Sequence, residues 1–511
     1  MDRPMLETIQ QSVKHHDQYQ IEIKLDYELH ADQKTRYQIA TYFFVPQSLG
    51  ITPQTYNKQA FYQDVQSHIR LKTPSLNLRE FTEGNRSPLG KIEQLVHQSG
   101  WLSDADSHDH IVTQMKLLSA MLKSALREHF SLIERRVAEV QATPHGKAHL
   151  LVHTLVDEFL AETGHITQRF RALLADFNLP NVPHAVFTAY TFTDESLSIL
   201  IEESAVEMVQ VVDEYMKKTN QENYKMALSE VTARETKYRK MRGYRSILVE
   251  GSDNETYLYR ASILKKYASS VLFLNTDVQP DGRYWEQFIL SLAAGLAMIF
   301  ATAVAFYFQY EYGNFTLPFF LALVIGYMFK DRIKEISRII FSRRLEKYLF
   351  DRRITIRTQD GRHRLGVLRE KVRFIQESEV PLSVMRARSR DQITDLSNEG
   401  RGENIICYTK EIELQIKDQE AVLPGFPEIT GINDIMRFDV RHFLNKMAEP
   451  VQERFIIRDG ELVSLLCQKV YHVNVIARYK TVQPGINKEN RHLRLVLNQH
   501  GIRRLEQVPH L

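Results

Sequence analysis

Apolar residues follow several patterns along the chain, and the longest uninterrupted apolar run lies past its middle. From Phe288 to Phe308, 21 consecutive residues carry no charged side chain. A helix of that length extends about 31 Å, which matches the hydrocarbon core of a bilayer. Tyr and Trp residues lie near both ends, where amphipathic rings prefer the headgroup level. The run therefore predicts a membrane-spanning helix rather than a buried helix of a large soluble core.

A second and shorter apolar run, Phe315 to Phe329, follows almost at once. On length alone it would not distinguish a span from a core helix. A short return helix would bring the chain back to the side it left. Pro318 would then fall in the first turn, where a missing N–H costs little. We therefore predict a two-helix transmembrane hairpin over residues 285–330.

Basic residues indicate the orientation of this hairpin. The connection 309–314 holds no Lys or Arg, whereas both flanks do. Positive flanks stay in the cytoplasm, so both termini are expected on the cytoplasmic side of the cell (inner) membrane. The flank after the second run either serves this topology alone or also contacts lipid headgroups. The expected headgroup contacts are Lys330, Arg332, Lys334, Arg338, Arg343 and Arg344.

Small residues recur at every fourth position of the first apolar run. The stripe consists of Ala293, Ala297, Ala301 and Ala305. Such a stripe lets another helix approach closely. The expected partner is the second apolar run, and the alternative is the same stripe on another copy of the chain, which would make a homo-oligomer.

Elsewhere the period of the apolar positions changes from region to region. Residues 19–29 alternate apolar and polar side chains, which predicts a half-buried strand, with residues 35–45 as its antiparallel partner. A helical period from residue 110 to 274 predicts long helices packed as a bundle. After residue 351 the period returns to two, and turn residues separate several short strands, which predicts a β-sandwich or small barrel.

These elements predict a multidomain α+β membrane protein. Its expected parts are a small N-terminal α/β module, a cytoplasmic helical bundle, the transmembrane hairpin, a juxtamembrane basic helix and a cytoplasmic β-rich domain, at residues 1–100, 101–284, 285–330, 331–350 and 351–511. The α/β module should include a helix after Thr52 whose apolar face carries Phe61, Val65 and Ile69. The basic helix either continues the second span or lies on the membrane surface.

Composition adds limits on partners and compartment. The net charge of +3 is too balanced to indicate a nucleic-acid partner. Cys407 and Cys467 are far apart and form no CxxC pair, so we expect free thiols in a reducing compartment. Residues 1–30 show no cationic start followed by an apolar core, so no cleaved signal peptide is expected.

Histidines recur at every fourth position near the start of the second predicted bundle helix. They are His145, His149 and His153, followed by Asp157. Two histidines four apart on a helix can share one metal ion, and His149, His153 and Asp157 are the candidate ligands. A partly exposed polar stripe is the alternative, and the absence of a matching Glu-x-x-His on another helix favours it.

An acidic, histidine-containing stretch precedes the first bundle helix, at Asp104, Asp106, His108, Asp109 and His110. It could bind a cation, but acidic residues are also favoured at a helix start. We expect capping rather than metal binding here.

The chain lacks short catalytic motifs. There is no GxxxxGK[ST], no GxGxxG after a strand, no HExxH and no GxSxG. We therefore expect a membrane-anchored scaffold, sensor or assembly protein that binds the lipid bilayer and protein partners without a cofactor. One alternative is a metal-dependent enzyme with its site in the bundle. Another is a subunit of an oligomeric channel or transporter, although neither apolar run holds the ionisable residue that such pathways normally use.

Overall fold

The structure is a computed structural model. It describes residues 9–29, 34–83, 87–142, 148–219, 223–314, 316–345, 349–388, 402–416, 422, 425–426, 429–481 and 490–508. The chain forms two compact units. The first contains Met1–Ile69, Asn275–Asp418 and Asn433–Leu511, and the second contains Arg70–Leu274 and Gln419–Ile432.

The strands fall at both ends of the chain. Strands β1 to β5 are Ile9–His15, Gln20–Glu28, Thr35–Pro46, Val65–Leu71 and Asn275–Pro280. Strands β6 to β10 are Arg352–Arg357, Arg364–Ile375, Glu403–Leu414, Gly431–Asp439 and Val451–Arg458. Strands β11 to β14 are Glu461–Gln468, Tyr471–Thr481, Asn490–Asn498 and Gly501–Val508.

The helices dominate the middle of the chain. Helices α1 to α5 are Lys58–Asp64, Glu80–Glu83, Pro88–Val96, Ala105–Ala142 and Ala148–Ala172. Helices α6 to α9 are Leu174–Phe177, His184–Thr219, Asn223–Arg242 and Glu255–Ser270. Helices α10 to α13 are Arg283–Tyr312, Leu317–Leu345, Leu382–Arg388 and Arg441–Leu444. The expected mixture of helix and sheet, with a large C-terminal sheet region, is confirmed.

The first unit contains two larger sheets and a separate hairpin. An eight-stranded antiparallel sheet has the order β14-β13-β12-β3-β8-β7-β6-β5. A four-stranded sheet has the order β1-β2-β9-β4, and β10 and β11 form a two-stranded sheet. Strands from the first and last parts of the chain are therefore neighbours, whereas the sequence had assigned them to two separate domains.

The expected pairing of residues 19–29 with 35–45 is wrong. The alternation in β2 is confirmed, since Ile21, Ile23 and Leu25 are buried in turn. However, β2 lies between β1 and β9, and β3 lies between β12 and β8. The last half of β3 is buried at consecutive positions, which is typical of a strand covered on both faces. Such a strand belongs at the centre of a large sheet rather than in an edge hairpin.

The expected helix carrying Phe61, Val65 and Ile69 is also too long. Asn57 caps α1 by accepting from the backbone N–H of Ala60 at 2.9 Å, but α1 ends at Asp64. Val65 and Ile69 instead lie in β4. Both are β-branched, and such side chains favour the pleated surface of a strand.

Aromatic side chains join the two sheets. The ring of Phe43 on β3 lies 5.1 Å from that of Phe438 on β9. The ring of Phe61 on α1 lies 5.1 Å from Tyr408 on β8. These contacts place part of the core between the sheets, and α12 covers the opposite face of the large sheet through Val384.

The second unit is a helical bundle, as expected. Helix α4 packs against α3, α5, α7 and α9, and α7 also packs against α8. Buried ion pairs connect these helices. Arg171 on α5 donates to Asp194 on α7 at 3.2 Å and to Glu235 on α8 at 2.6 Å. Arg239 on α8, only 1% exposed, pairs with Glu202 on α7.

Helices α10 and α11 belong to the first unit and contact each other. Helix α11 runs on to Leu345 without a break, so most of the expected basic helix continues the second apolar run. This was one of the two arrangements that the sequence allowed.

Candidate functional site

Helix α10 has the properties of a membrane-spanning segment. Within the described ranges, Gln287–Tyr312 is the one helix long and apolar enough to cross a membrane, and only 11% of its most apolar window is buried. Helix α11 is apolar over a shorter stretch, so the second crossing stays a prediction.

The alanine stripe of α10 is buried at one end. Ala293 and Ala297 are 0% and 1% exposed, whereas Ala301 and Ala305 are half-buried. On the neighbouring helix, a Cβ at Gly326 would lie 3.5 Å from Val304 Cγ1. The two helices therefore approach closely where one of them has only a hydrogen side chain.

The expected headgroup-contacting residues lie on α11. The Lys330 ammonium lies 4.1 Å from the centre of the Tyr327 ring, and Arg332, Lys334 and Arg338 are exposed. The side chains of Arg343 and Arg344 lie outside the described part of the chain.

Of the candidate metal ligands, only His153 and Asp157 have side chains in the part of the chain that the structure describes. His145 and the side chain of His149 lie outside it. The His153 ring packs 5.2 Å from that of Tyr224, and Asp157 is exposed. No group of three or more His, Cys, Asp or Glu that could hold a metal ion occurs among the described residues.

Of the acidic stretch, Asp104 directly precedes α4 and caps it, whereas Asp106, His108, Asp109 and His110 lie in its first turns. Asp104 accepts from the backbone N–H of Ser107 at 3.1 Å and from its hydroxyl at 2.5 Å. The hydrogen bonds from Ser107 lower the pKa of the Asp104 carboxyl. This geometry is the side-chain cap expected at a helix start.

A cavity of about 530 Å³ lies between the two sheets of the first unit. Its volume is within the range of small-molecule pockets, roughly 300–1,000 Å³. The four-stranded sheet contributes Val13, Ile23, Leu25 and Met436. The eight-stranded sheet contributes the apolar residues Ile39, Val475, Ala477, Leu493 and Val508.

Tyr408 and Lys410 line this cavity, and the polar groups that contact them lie behind this part of the wall. The Lys410 ammonium lies 2.7 Å from Asp434 Oδ2 and 3.7 Å from Glu370 Oε1, and it donates to Ser67 Oγ at 3.3 Å. The Tyr408 hydroxyl donates to Glu370 at 2.6 Å. All of these side chains except Ser67 are buried. One ammonium therefore faces two carboxylates in an interior with little water.

Tyrosines around Lys410 are held neutral. Burial, with Asp434 nearby, raises the pKa of Tyr27 well above its ordinary value. Burial and the neighbouring Glu370 do the same to the pKa of Tyr408. Their hydroxyls therefore act as hydrogen-bond donors and acceptors rather than as anions.

The lining of this cavity is mainly apolar and carries a few polar side chains. Small-molecule sites in proteins commonly combine an apolar lining with a few placed polar groups. The cavity is therefore the strongest candidate ligand site in the described part of the molecule.

The sequence pattern did not identify this cluster, although strand β8 carries one indication of it. Along β8 the side chains of Ile406, Tyr408, Lys410 and Ile412 share one face. A lysine in an otherwise apolar or aromatic set indicates a buried charge. Its partners Glu370 and Asp434 come from β7 and β9, and no local pattern links those strands.

The hairpin of β10 and β11 exposes large apolar side chains, four of which share one face by its register. Phe455 and Ile457 are 59% and 77% exposed, and Leu462 and Leu466 are 69% and 71% exposed. An isolated two-stranded hairpin is marginally stable in water. Contiguous apolar exposure of this kind is uncommon on soluble monomers.

Comparison with known proteins gave no match, whether with family models, curated proteins or solved structures.

Proposed function

We propose that the protein is a membrane-anchored scaffold or sensor whose helices α10 and α11 cross the bilayer as a hairpin. Both units would then lie on the cytoplasmic side, where they bind protein partners. The observation that carries this proposal is the outward exposure of large apolar side chains on both helices. On α10, Phe288, Ile299 and Phe306 are 59%, 67% and 67% exposed. On α11, Phe320 and Met328 are 61% and 65% exposed.

Hydrophobic free energy favours placing these side chains in lipid. Fully burying one large apolar side chain contributes about 1.5–3 kcal/mol. Soluble monomers rarely expose contiguous apolar patches of more than a few hundred Å². The two helices together carry many such groups, and a bilayer would cover all of them.

The strands that flank the helices support an even number of crossings. Strand β5 precedes α10, strand β6 follows α11, and the two pair from Asn275↔Arg357 to Pro280↔Arg352. Both strands must therefore be on the same side of any bilayer. A single crossing by α10 would separate them, so α11 is proposed to return the chain despite its shorter apolar stretch, with Lys330 and Arg332 reaching the headgroups.

The exposed hairpin of β10 and β11 supports the binding of protein partners. Its outer edges pair with no other strand in the part of the chain that the structure describes. These edges and the apolar side chains suit the addition of a strand or an apolar surface from another protein.

Thiol accessibility tests the topology. Cys467 on β11 is exposed and serves as a native reporter of the first unit. In intact spheroplasts of an expression host, a membrane-impermeant maleimide should leave Cys467 unlabelled until the cells are permeabilised. In a Cys467→Ser background, Asn314→Cys in the connection between α10 and α11 should be labelled without permeabilisation. The buried Cys407 gives the background signal in both cases.

The opposite pattern would overturn the proposal. Labelling of Cys467 in intact cells would place the first unit outside. Failure to label Asn314→Cys before permeabilisation, with labelling afterwards, would show that the connection does not cross. Recovery of the full chain in the soluble fraction without detergent would remove the anchor altogether.

A further inference from the structure

We propose that the cavity between the two sheets of the first unit binds an uncharged, mainly apolar small molecule, such as a single hydrocarbon chain with a neutral hydrogen-bonding group. The inference depends on the cavity alone and does not require the membrane anchor of the proposed function.

The walls of the cavity define the apolar part of the ligand. Ile23 and Leu25 from one sheet face Val475 and Ala477 from the other. The cavity is more than three times the roughly 150 Å³ apolar cavity that holds benzene, so it can accept a chain of many carbons.

The groups around Lys410 define the charge of the ligand. Lys410 is already paired with Asp434, and Glu370 lies 3.7 Å from the same ammonium. This part of the wall therefore carries one more formal negative charge than positive. A ligand carboxylate would add a third anion to a poorly solvated site, which is strongly unfavourable. A hydroxyl or amide could share hydrogen bonds there without that cost.

The entrance lies away from Lys410. Val13 on β1 and Arg491 on β13 are half-buried, and Gln507 on β14 is exposed. Arg491 pairs with Ala477, which pairs with Thr41, which pairs with Tyr408. Three strand spacings of about 4.8 Å separate Arg491 from Tyr408 across the sheet. The guanidinium is thus at the mouth, away from Tyr408 and Lys410.

Photo-crosslinking with a defined probe tests the inference. The full chain in phosphatidylcholine nanodiscs is irradiated with a hexadecanol that bears a mid-chain diazirine, and the labelled peptides are identified by mass spectrometry. We expect label in β2, β9 or β12, and its loss with excess unlabelled hexadecanol. The corresponding carboxylic acid should label these strands at least about tenfold less, because it brings a charge close to Lys410 and its carboxylates.

A cavity-filling variant provides the control. Ala477→Phe projects a ring into the cavity and should reduce label in β2 and β9 by about tenfold or more. Ala138→Phe, at an exposed position of α4, makes the same change elsewhere and should label as the wild type does. If Ala477→Phe does not fold, Val508→Phe at the mouth takes its place.

The outcomes separate this inference from the proposed function. Label confined to α10 and α11, or label in β2 and β9 that survives both Ala477→Phe and excess competitor, overturns the cavity site. Equal labelling by acid and alcohol overturns the uncharged ligand. Label in the cavity strands without label in α10 leaves the cavity site standing and counts against the membrane anchor.

Discussion

Lys410 illustrates how strongly a buried charge depends on its neighbours. Its side chain is 3% exposed, and the carboxylates of Asp434 and Glu370 are 0% and 3% exposed. Bringing such groups out of water is costly, and their mutual attraction offsets that cost only while the set is complete. The cluster is therefore more informative about function and specificity than about net stability.

Removing the ammonium should destabilise the first unit. Lys410→Met leaves two buried carboxylates without a cation, so we expect a loss of about 3–5 kcal/mol. The measurement is a urea titration in detergent micelles. The hydrogen-exchange protection of the β8 amides reports the unfolding of the first unit. Adding Asp434→Asn should restore part of the loss, whereas Lys14→Met, at an exposed position of β1, should stay within about 0.5 kcal/mol of the wild type. A Lys410→Met variant as stable as the wild type would contradict the buried cluster.

His129 should make the helical bundle sensitive to acid. Its Nε2–H donates to the carbonyl of Leu155 at 2.8 Å, and burial lowers the pKa of His129 below its ordinary value of 6.5. The folded state therefore favours neutral histidine. Its contribution to stability is complete above pH 6.5 and is lost as the pH falls from there through the folded pKa.

The experiment measures the unfolding of α4 and α5 between pH 7 and pH 5. His129→Gln should flatten the decline in stability, because it removes the group that takes up a proton on unfolding. His165→Gln, at an exposed position of α5, is the matched control and should leave the decline unchanged. Identical slopes in His129→Gln and the wild type would show that another group causes the pH dependence.

At the scale of elements, close packing between β7 and β8 depends on a glycine. A Cβ at Gly366 would overlap the backbone carbonyl oxygen of Glu413. Gly366→Ala should therefore push the strands apart and cost about 1–3 kcal/mol, seen as faster amide exchange in both strands. Gly164→Ala in α5 meets no atom within 4 Å and should stabilise its helix by up to about 1 kcal/mol. Equal effects of the two changes would contradict this packing.

Helices and strands could be predicted where the apolar residues recur with a regular local spacing. The long helices α4 and α5 and the strands β2 and β8 follow from the spacing of their apolar residues. The start of α7 at His184 could not be predicted in this way, because the turns before Asp194 contain Thr, Tyr and Phe and show no clear polar face. Strand β14 could not be predicted from a period of two, because Arg503, Arg504, Glu506 and Gln507 hide its alternation.

Pairing and the cavity could not be predicted in the same way. Strand β3 pairs with β8 and β12, which are more than 350 residues further along the chain. The entropic cost of closing a loop grows only slowly with its length, so distant strands can pair almost as readily as near ones. No local pattern therefore specifies partners at that separation. The cavity exists only once these strands meet, so its lining stayed invisible in the sequence. The histidine stripe, by contrast, is visible in the sequence, and part of it lies outside the described residues.

At the scale of the whole molecule, the second unit has its two ends side by side. The backbone N–H of Leu71 donates to the carbonyl of Leu272 at 2.7 Å, and Arg70 forms a bridge with Phe273. Units whose ends meet in this way are often inserted into a host domain and retain their own core. The segment Gln419–Ile432 adds contacts from elsewhere in the chain, since the Gly425 carbonyl accepts from Lys91 and Gln114.

Residues 70–274 should therefore fold as an isolated fragment. We expect a helical, monomeric protein with a cooperative thermal transition, measured by circular dichroism and sedimentation. A synthetic peptide of residues 419–432 added in excess should raise the midpoint, because it binds only the folded fragment. Gln114→Leu should weaken this effect by removing one hydrogen bond. An aggregated or unstructured fragment would show that the bundle needs the rest of the chain.

Asp281 and Gly282 alone separate β5 from α10. So short a connection has little slack, and the backbone N–H of Asp281 also bonds to the carbonyl of Asp351 at 3.3 Å beside the start of β6. If α10 and α11 cross a bilayer as proposed, a change in bilayer thickness or helix tilt would pull on the pairing of β5 with β6 at the edge of the eight-stranded sheet. Mechanical stress from the lipid would then reach the folded interior through Asp281 and Gly282.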